Sequence, residues 1–184
     1  MIASPELYTP RTRIRLADEV DAVALLRYRA DNRVHLAPWE PLRDASYYTL
    51  DHCVRTIAEG REAAAQGRGY PLLVLDPDGE TILATFTFAN VVRGVFQACH
   101  LGYGVAAEAQ GQGLMQEALR AGLDWAFGEL DLHRVMANHM PRNERSARLL
   151  ARLGFEREGY AKRYLRINGV WEDHVLTART RADD

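Results

Sequence analysis

The stretch Gln110-Gly111-Gln112-Gly113-Leu114-Met115 lies where an extended segment hands over to a helix. Upstream, His100-Leu101-Gly102-Tyr103-Gly104-Val105 reads as a strand. Downstream, Met115, Ala118, Leu119, Gly122 and Ala126 recur at the spacing of one helix face. Two glycines at the mouth of such a helix leave its first N–H groups unshielded by side chains, and the helix dipole adds partial positive charge at the same place. The turn is therefore a candidate pyrophosphate cradle, with Gln110, Gly111, Gln112, Gly113, Leu114 and Met115 as its contacts.

Spacing separates three phosphate-binding signatures. A Walker loop needs Gly-Lys followed by Ser or Thr, and the chain contains no Gly-Lys pair. A dinucleotide fingerprint is superficially present from Gly102 to Ala107. Its glycines fall inside an apolar extended segment, with no strand-end acidic residue at the required interval. The third pattern, Gln/Arg-x-x-Gly-x-Gly/Ala, belongs to the GNAT superfamily of N-acetyltransferases. Gln110-x-x-Gly113-x-Met115 resembles it, with Met in place of the last small residue.

Composition fits one enzyme-sized domain spanning residues 1–184, with 47% hydrophobic residues to fill a core. A net charge of −2 argues against direct binding of nucleic acid by bulk electrostatics. Cys53 and Cys99 lack metal-ligand spacing, so neither a metal site nor a disulfide framework is expected. Met1-Ile2-Ala3-Ser4-Pro5-Glu6 lacks a charged leader with an apolar run, and no run is long enough to cross a bilayer. The expected location is cytoplasmic, without membrane partners.

Residues 13–16 read as a first strand, and 20–29 and 48–65 as helices. Between those helices, the two prolines of His35-Leu36-Ala37-Pro38-Trp39-Glu40-Pro41 predict an irregular loop that excludes helix. Residues 72–75 and 81–89 around Asp76-Pro77-Asp78-Gly79 predict a hairpin, followed by a strand over 96–105. Residues 134–138 read as another strand. Asn143 is placed to cap a helix that Gly154 ends, and Asn168-Gly169 predicts a final hairpin.

This order, together with several distinctive words, resembles the RimJ/RimL branch of the GNAT superfamily. The words include Pro38-Trp39-Glu40-Pro41, Leu101-Gly102-Tyr103, Met136-Ala137-Asn138, Leu153-Gly154-Phe155 and Asp173-His174-Val175-Leu176. The resemblance implies an α+β fold: a central mixed, mostly antiparallel sheet, flanked by helices and splayed at an acetyl-CoA site. It implies that the strands ending at Val105 and Asn138 part around the pantetheine arm, which pairs with backbone near Tyr103, Gly104 and Val105. Asn143 is placed either to reach the cofactor or simply to cap its helix. The implied reaction is direct acetyl transfer to an amine, with a protein or peptide N-terminus as acceptor, a ribosomal protein among the possibilities.

Such a reaction needs a neutral amine and a proton for the departing thiolate. An α-amine with pKa about 7.7–8.0 is already roughly one-tenth neutral at pH 7, whereas a lysine near ~10.4 is neutral about once in a few thousand molecules. A weak base therefore suffices for an N-terminus. Ser146 matches the serine of the branch's Asn-x-x-Ser word and is the candidate proton donor, with helix capping as its other reading. Glu40, His100 and His174 are the candidate bases. The glutamate of RimL-type relatives falls near Leu165 and cannot be carried over. Trp39, Tyr47 and Tyr48 either wall an acceptor groove or belong to the core, and Cys99 reads as a small buried hydrophobe. Two other readings stand beside the N-terminal enzyme: an acetyltransferase for a small-molecule amine such as an antibiotic or polyamine, and a non-catalytic module that retains the fold.

Overall fold

The computed structural model describes residues 5–182. The leader reading of residues 1–4 lies outside them. Eight strands form one sheet in the order β1-β2-β3-β4-β5-β6-β8-β7. They are β1 (Glu6–Tyr8), β2 (Arg13–Leu16), β3 (Tyr70–Leu75), β4 (Ile82–Val92), β5 (Ala98–Val105), β6 (Arg134–Met136), β7 (Glu156–Ile167) and β8 (Val170–Thr180). Only β5 and β6 run parallel; the other neighbours are antiparallel. Among the described residues no helix is long and apolar enough to cross a membrane.

Helices cover both faces. On one lie α4 (Leu114–Phe127) and α5 (Glu144–Arg152), packed on Leu72, Val74, Phe86, Phe88, Cys99 and Leu101. On the other lie α1 (Ala22–Asp31) and α3 (Leu50–Ala65), packed on Leu73, Leu75 and Ile82. Successive residues of β3 thus feed opposite cores, as the two-residue strand repeat requires. Gly122 lets α4 approach the sheet, since a Cβ there would meet the Phe86 ring at 2.8 Å.

One sequence expectation is corrected. His35 and Leu36 belong to a short helix, α2 (Arg33–Leu36), and Ala37–Trp39 continue it as a 3-10 turn. Pro38 is tolerated because it occupies the first turn, where its missing N–H is not needed. The chain becomes extended only at Glu40, ahead of Pro41. The three-residue edge strand β1 escaped the sequence reading because it is too short to show a periodicity.

The strand expected over 134–138 stops pairing with β5 early. Its register with β5 is Ala98↔Arg134, Cys99↔Val135 and His100↔Met136. Beyond Met136 the chain stays with β8 instead: Ala137 N–H donates to the Thr177 carbonyl at 2.9 Å, and His139 and Val175 exchange bonds at 3.1 and 2.8 Å. Past His100, therefore, β5 has a partner on its β4 side only.

Candidate active site

The free edge of β5 has a defined chemistry. Ala106 N–H donates to the Leu83 carbonyl at 2.9 Å, and the register continues as Ala84↔Val105, Thr85↔Gly104 and Phe86↔Tyr103. Antiparallel pairing alternates hydrogen-bonded and non-bonded residues. Gly104 therefore bonds toward β4, while the N–H and C=O of Tyr103 and Val105 point into the gap. A Cβ on Gly104 would lie at ordinary contact distance, 3.5 Å from the Tyr28 hydroxyl and 3.6 Å from Leu36, so α1 and α2 border the strand closely here.

At the end of that edge, Gly111 and Gly113 adopt φ of +74° and +76°, left-handed values that favour glycine. A Cβ on Gly111 would meet nothing within 4 Å, and one on Gly113 only the tip of Arg11 at 3.8 Å. The loop is thus open in front. The first intrahelical bond of α4 is Glu117 N–H to Gly113 carbonyl at 3.1 Å, which leaves the preceding amides available to an anion. Arg11 braces the loop by donating to the Gln112 carbonyl at 2.9 Å and pairing with Glu117 at 2.6 Å. Gln112 bonds back to the Glu108 carbonyl at 2.9 Å. Leu114 and Met115 are buried at the start of α4, so they present backbone and not side chain. Gln110 bonds His35 at 2.9 Å and accepts from Arg145. His35 also lies 3.2 Å from the Val105 carbonyl, a bridging position that nothing in the sequence pattern reveals.

A cavity of about 440 Å³ runs from this edge across the sheet. Ser146, Tyr103, Asn138, Asn143, Glu40 and His174 all line it, and so do Trp39, Tyr47 and Tyr48. None of the three aromatics is buried in the core. The Asn143 carboxamide oxygen accepts from Ser146 N–H at 3.1 Å, the N-cap geometry, and its NH2 remains for the cavity. The Ser146 hydroxyl is 2.6 Å from that of Tyr103, whose burial pushes its pKa up to about 12. Tyr103 therefore contributes a protonated side chain as well as its backbone, a role the sequence reading missed. Asn138 accepts from Thr177 N–H at 3.2 Å, so its side chain helps tie the departing strand to β8.

The three candidate bases separate. The Glu40 carboxyl is pushed above the ordinary carboxylate range by burial, against the opposing pull of Arg43 and Arg29. Its carbonyl accepts from Asn168 N–H at 2.8 Å, which pins the Trp39 segment to the β7–β8 turn. His174 is only 3% exposed, and its Nδ1 lies 3.0 Å from the Glu172 carbonyl. A carbonyl accepts, so Nδ1 is the donor in that bond. His100 does not line the cavity; its strand is still paired to β6 at that point, and its Nδ1 is buried without a partner. Leu165 lines the cavity and supplies no carboxylate. Cys99 is fully buried and its thiol is pushed up to about 12, so it is no nucleophile.

Comparison with known proteins agrees with this arrangement. The profile described as "Acetyltransferase (GNAT) domain" matches residues 11–156. The chain belongs to the GNAT acetyltransferase family. It is 48% identical over 177 residues to the [ribosomal protein uS5]-alanine N-acetyltransferase of Escherichia coli, covering 96% of this chain and 91% of that one. The crystal structure of the ribosomal-protein-S5-alanine acetyltransferase from Vibrio fischeri superimposes with a TM-score of 0.93 at 39% identity, covering 97% and 98% of the two chains. Mycobacterium smegmatis RimJ in complex with CoA-disulfide follows with a TM-score of 0.87 at 35% identity, covering 92% and 81%.

In this GNAT enzyme, the capping role of Asn143 has a measurable consequence. Asn143→Ala removes the acceptor for Ser146 N–H and is expected to cost about 1 kcal/mol of stability. Urea denaturation followed by far-UV circular dichroism reads it. An unchanged midpoint would remove the cap as the reason for this residue.

Proposed function

We propose that the chain transfers acetyl from acetyl-CoA to the N-terminal α-amine of a protein, with alanine or serine as the first residue. A ribosomal protein of the uS5 kind is the acceptor its relatives suggest, and a cytoplasmic reaction fits such an acceptor. The observation that carries this reading is the continuity of one cavity from the Tyr103–Ser146 hydroxyl pair to Glu40 and His174. Residues 1–184 are read as one catalytic domain.

The residues divide the work. Backbone amides from Gly111 to Met115 take the pyrophosphate, and the edge groups of Tyr103 and Val105 pair with the pantetheine arm. An amide at the end of β5 faces the thioester oxygen and stabilises the charge that develops there. Glu40, held above the usual carboxylate range, or the Nε2 of His174 accepts the proton of the attacking amine. Tyr103 and Ser146 hold a proton for the departing thiolate. An α-amine, roughly a tenth neutral at pH 7, needs less help from a base than a lysine does.

The small-molecule alternative fits the cavity less well. Among the described residues its charged side chains are Arg29, Arg33, Arg43 and Arg61 against Glu40 alone, a balance that repels a polycationic antibiotic or polyamine.

Two outcomes are expected. Gly113→Val, which disturbs a left-handed turn in front of the anion site, should weaken acetyl-CoA binding tenfold or more, about 1.4 kcal/mol by calorimetric titration. Unchanged affinity in a folded variant would refute the placement of the cradle. In the second, an alanine-led peptide with a free N-terminus is acetylated, whereas the same peptide with a blocked α-amine and an internal lysine is not. The two amines differ by roughly 2.5 pKa units, about 3.4 kcal/mol in deprotonation. Mass spectrometry locates the acetyl group, and comparable rates on the lysine would overturn the N-terminal assignment.

A further inference from the structure

Arg29 is a charged group in an unusual place. It is 7% exposed, yet among the described residues it has no carboxylate within ion-pair distance. Its hydrogen bonds all involve Nη1 and none reaches a carboxylate: the partners are the Tyr47 carbonyl at 3.2 Å, His52 Nδ1 at 3.2 Å and Cys53 Sγ at 3.5 Å. Among the described residues, Nη2 and Nε make none. A buried cation is costly unless an anion and further hydrogen bonds compensate it.

Two more arginines stand beside it. The guanidinium carbons of Arg29 and Arg43 lie 4.0 and 4.4 Å from the centroid of the same Tyr47 ring. Tyr47 meets Tyr48 edge-on at 5.1 Å, and Arg33 lies 4.6 Å from the Tyr48 ring. The aromatic faces pack against the three cations without neutralising them. Among the described residues Glu40 is the single acidic side chain lining the cavity; it reaches Arg43 at 3.8 Å. Three positive charges thus face one negative charge, itself pushed toward the neutral form by burial. Arg61 is a separate case, since it already meets Asp18 at 4.0 Å and the Ala17 carbonyl at 3.3 Å.

We propose that Arg29, Arg33 and Arg43, arrayed on Tyr47 and Tyr48, select acceptors that carry a carboxylate side chain within a few residues of the reactive amine. This rests on the N-terminal acetyltransferase reading above and adds the substrate class. Each guanidinium offers planar paired donors that match a carboxylate. The cluster lines the cavity beside Tyr28 and Leu36, on the side of the sheet covered by α1. The loop assigned to the pyrophosphate has its own arginines, Arg11 and Arg145. The anion that these three await belongs to the acceptor and not to the cofactor.

The test uses alanine-led peptides of one length with Glu, Gln or Lys at the second, third or fourth position. Steady-state kinetics with the full chain should show kcat/KM at least about tenfold higher for Glu than for Gln at one of these positions, the scale of one charge-assisted hydrogen bond. The gain should appear mainly in the peptide KM and shrink as salt is raised. Arg33 and Arg43 are exposed, so Arg33→Gln and Arg43→Gln should fold; each should reduce the Glu-over-Gln ratio, and the double variant should bring it within twofold of unity. Equal kcat/KM for Glu and Gln peptides in the parent enzyme would overturn the proposal. So would a ratio that survives in the double variant, or an acetyl-CoA KM that moves while the peptide KM does not. If no peptide of the set is acetylated, the N-terminal reading itself falls and takes this inference with it; turnover without discrimination refutes the inference alone.

Discussion

A strand that loses its partner in the middle of a sheet governs this molecule. β5 is bonded on both sides as far as His100, and on the β4 side alone from there to Val105. Backbone N–H and C=O groups are obligatory hydrogen-bonding groups, so a bare edge is a demand for a ligand. The chain keeps the gap open from the other side by committing residues 137–139 to β8. Thr177 reinforces that commitment through its hydroxyl to the Ala137 carbonyl and its amide to Asn138. The site is thus made by withholding a strand pairing, and the side chains around it refine what the backbone begins.

The helices on the two faces then have separate roles. On one face α4 supplies the open glycine mouth and α5 brings Ser146 to Tyr103. On the other, α1, α2 and the segment through Tyr48 line the cavity and concentrate arginines there, where the acceptor is proposed to bind. His35 joins the two, since it touches the Val105 carbonyl and Gln110, which in turn holds Arg145 of α5. The elements on the two faces are therefore linked by hydrogen bonds at the end of β5.

Much of this was legible from local sequence. The glycine turn into an amphipathic helix, the Asp76–Gly79 and Asn168–Gly169 turns and the Asn143 cap each depend on neighbouring residues, and each occurs where those residues predict. Helix across Arg33–Trp39 was hidden because a proline at the first turn of a 3-10 segment looks, in sequence, like a breaker. Long-range contacts were hidden for a different reason. Tyr103 meets Ser146 across 43 positions and His35 meets Val105 across 70, separations that no periodicity encodes. Strand pairing distinguishes the two candidate histidines, and local sequence does not carry it: His100 lies before β5 leaves β6, whereas His174 lies on β8 facing the cavity. The arginine cluster was invisible because its members come from two helices and a connecting segment, while the net charge of −2 reports only their sum with everything else.

The central claim, that the bare edge of β5 receives acetyl-CoA, is tested most directly by residue-resolved amide hydrogen exchange with and without saturating acetyl-CoA. Tyr103 and Val105 amides face the gap and should gain protection on binding, together with amides of residues 111–115. The Gly104 amide is already bonded toward β4 and should change little. Protection that leaves Tyr103 and Val105 untouched while acetyl-CoA is bound would contradict the account.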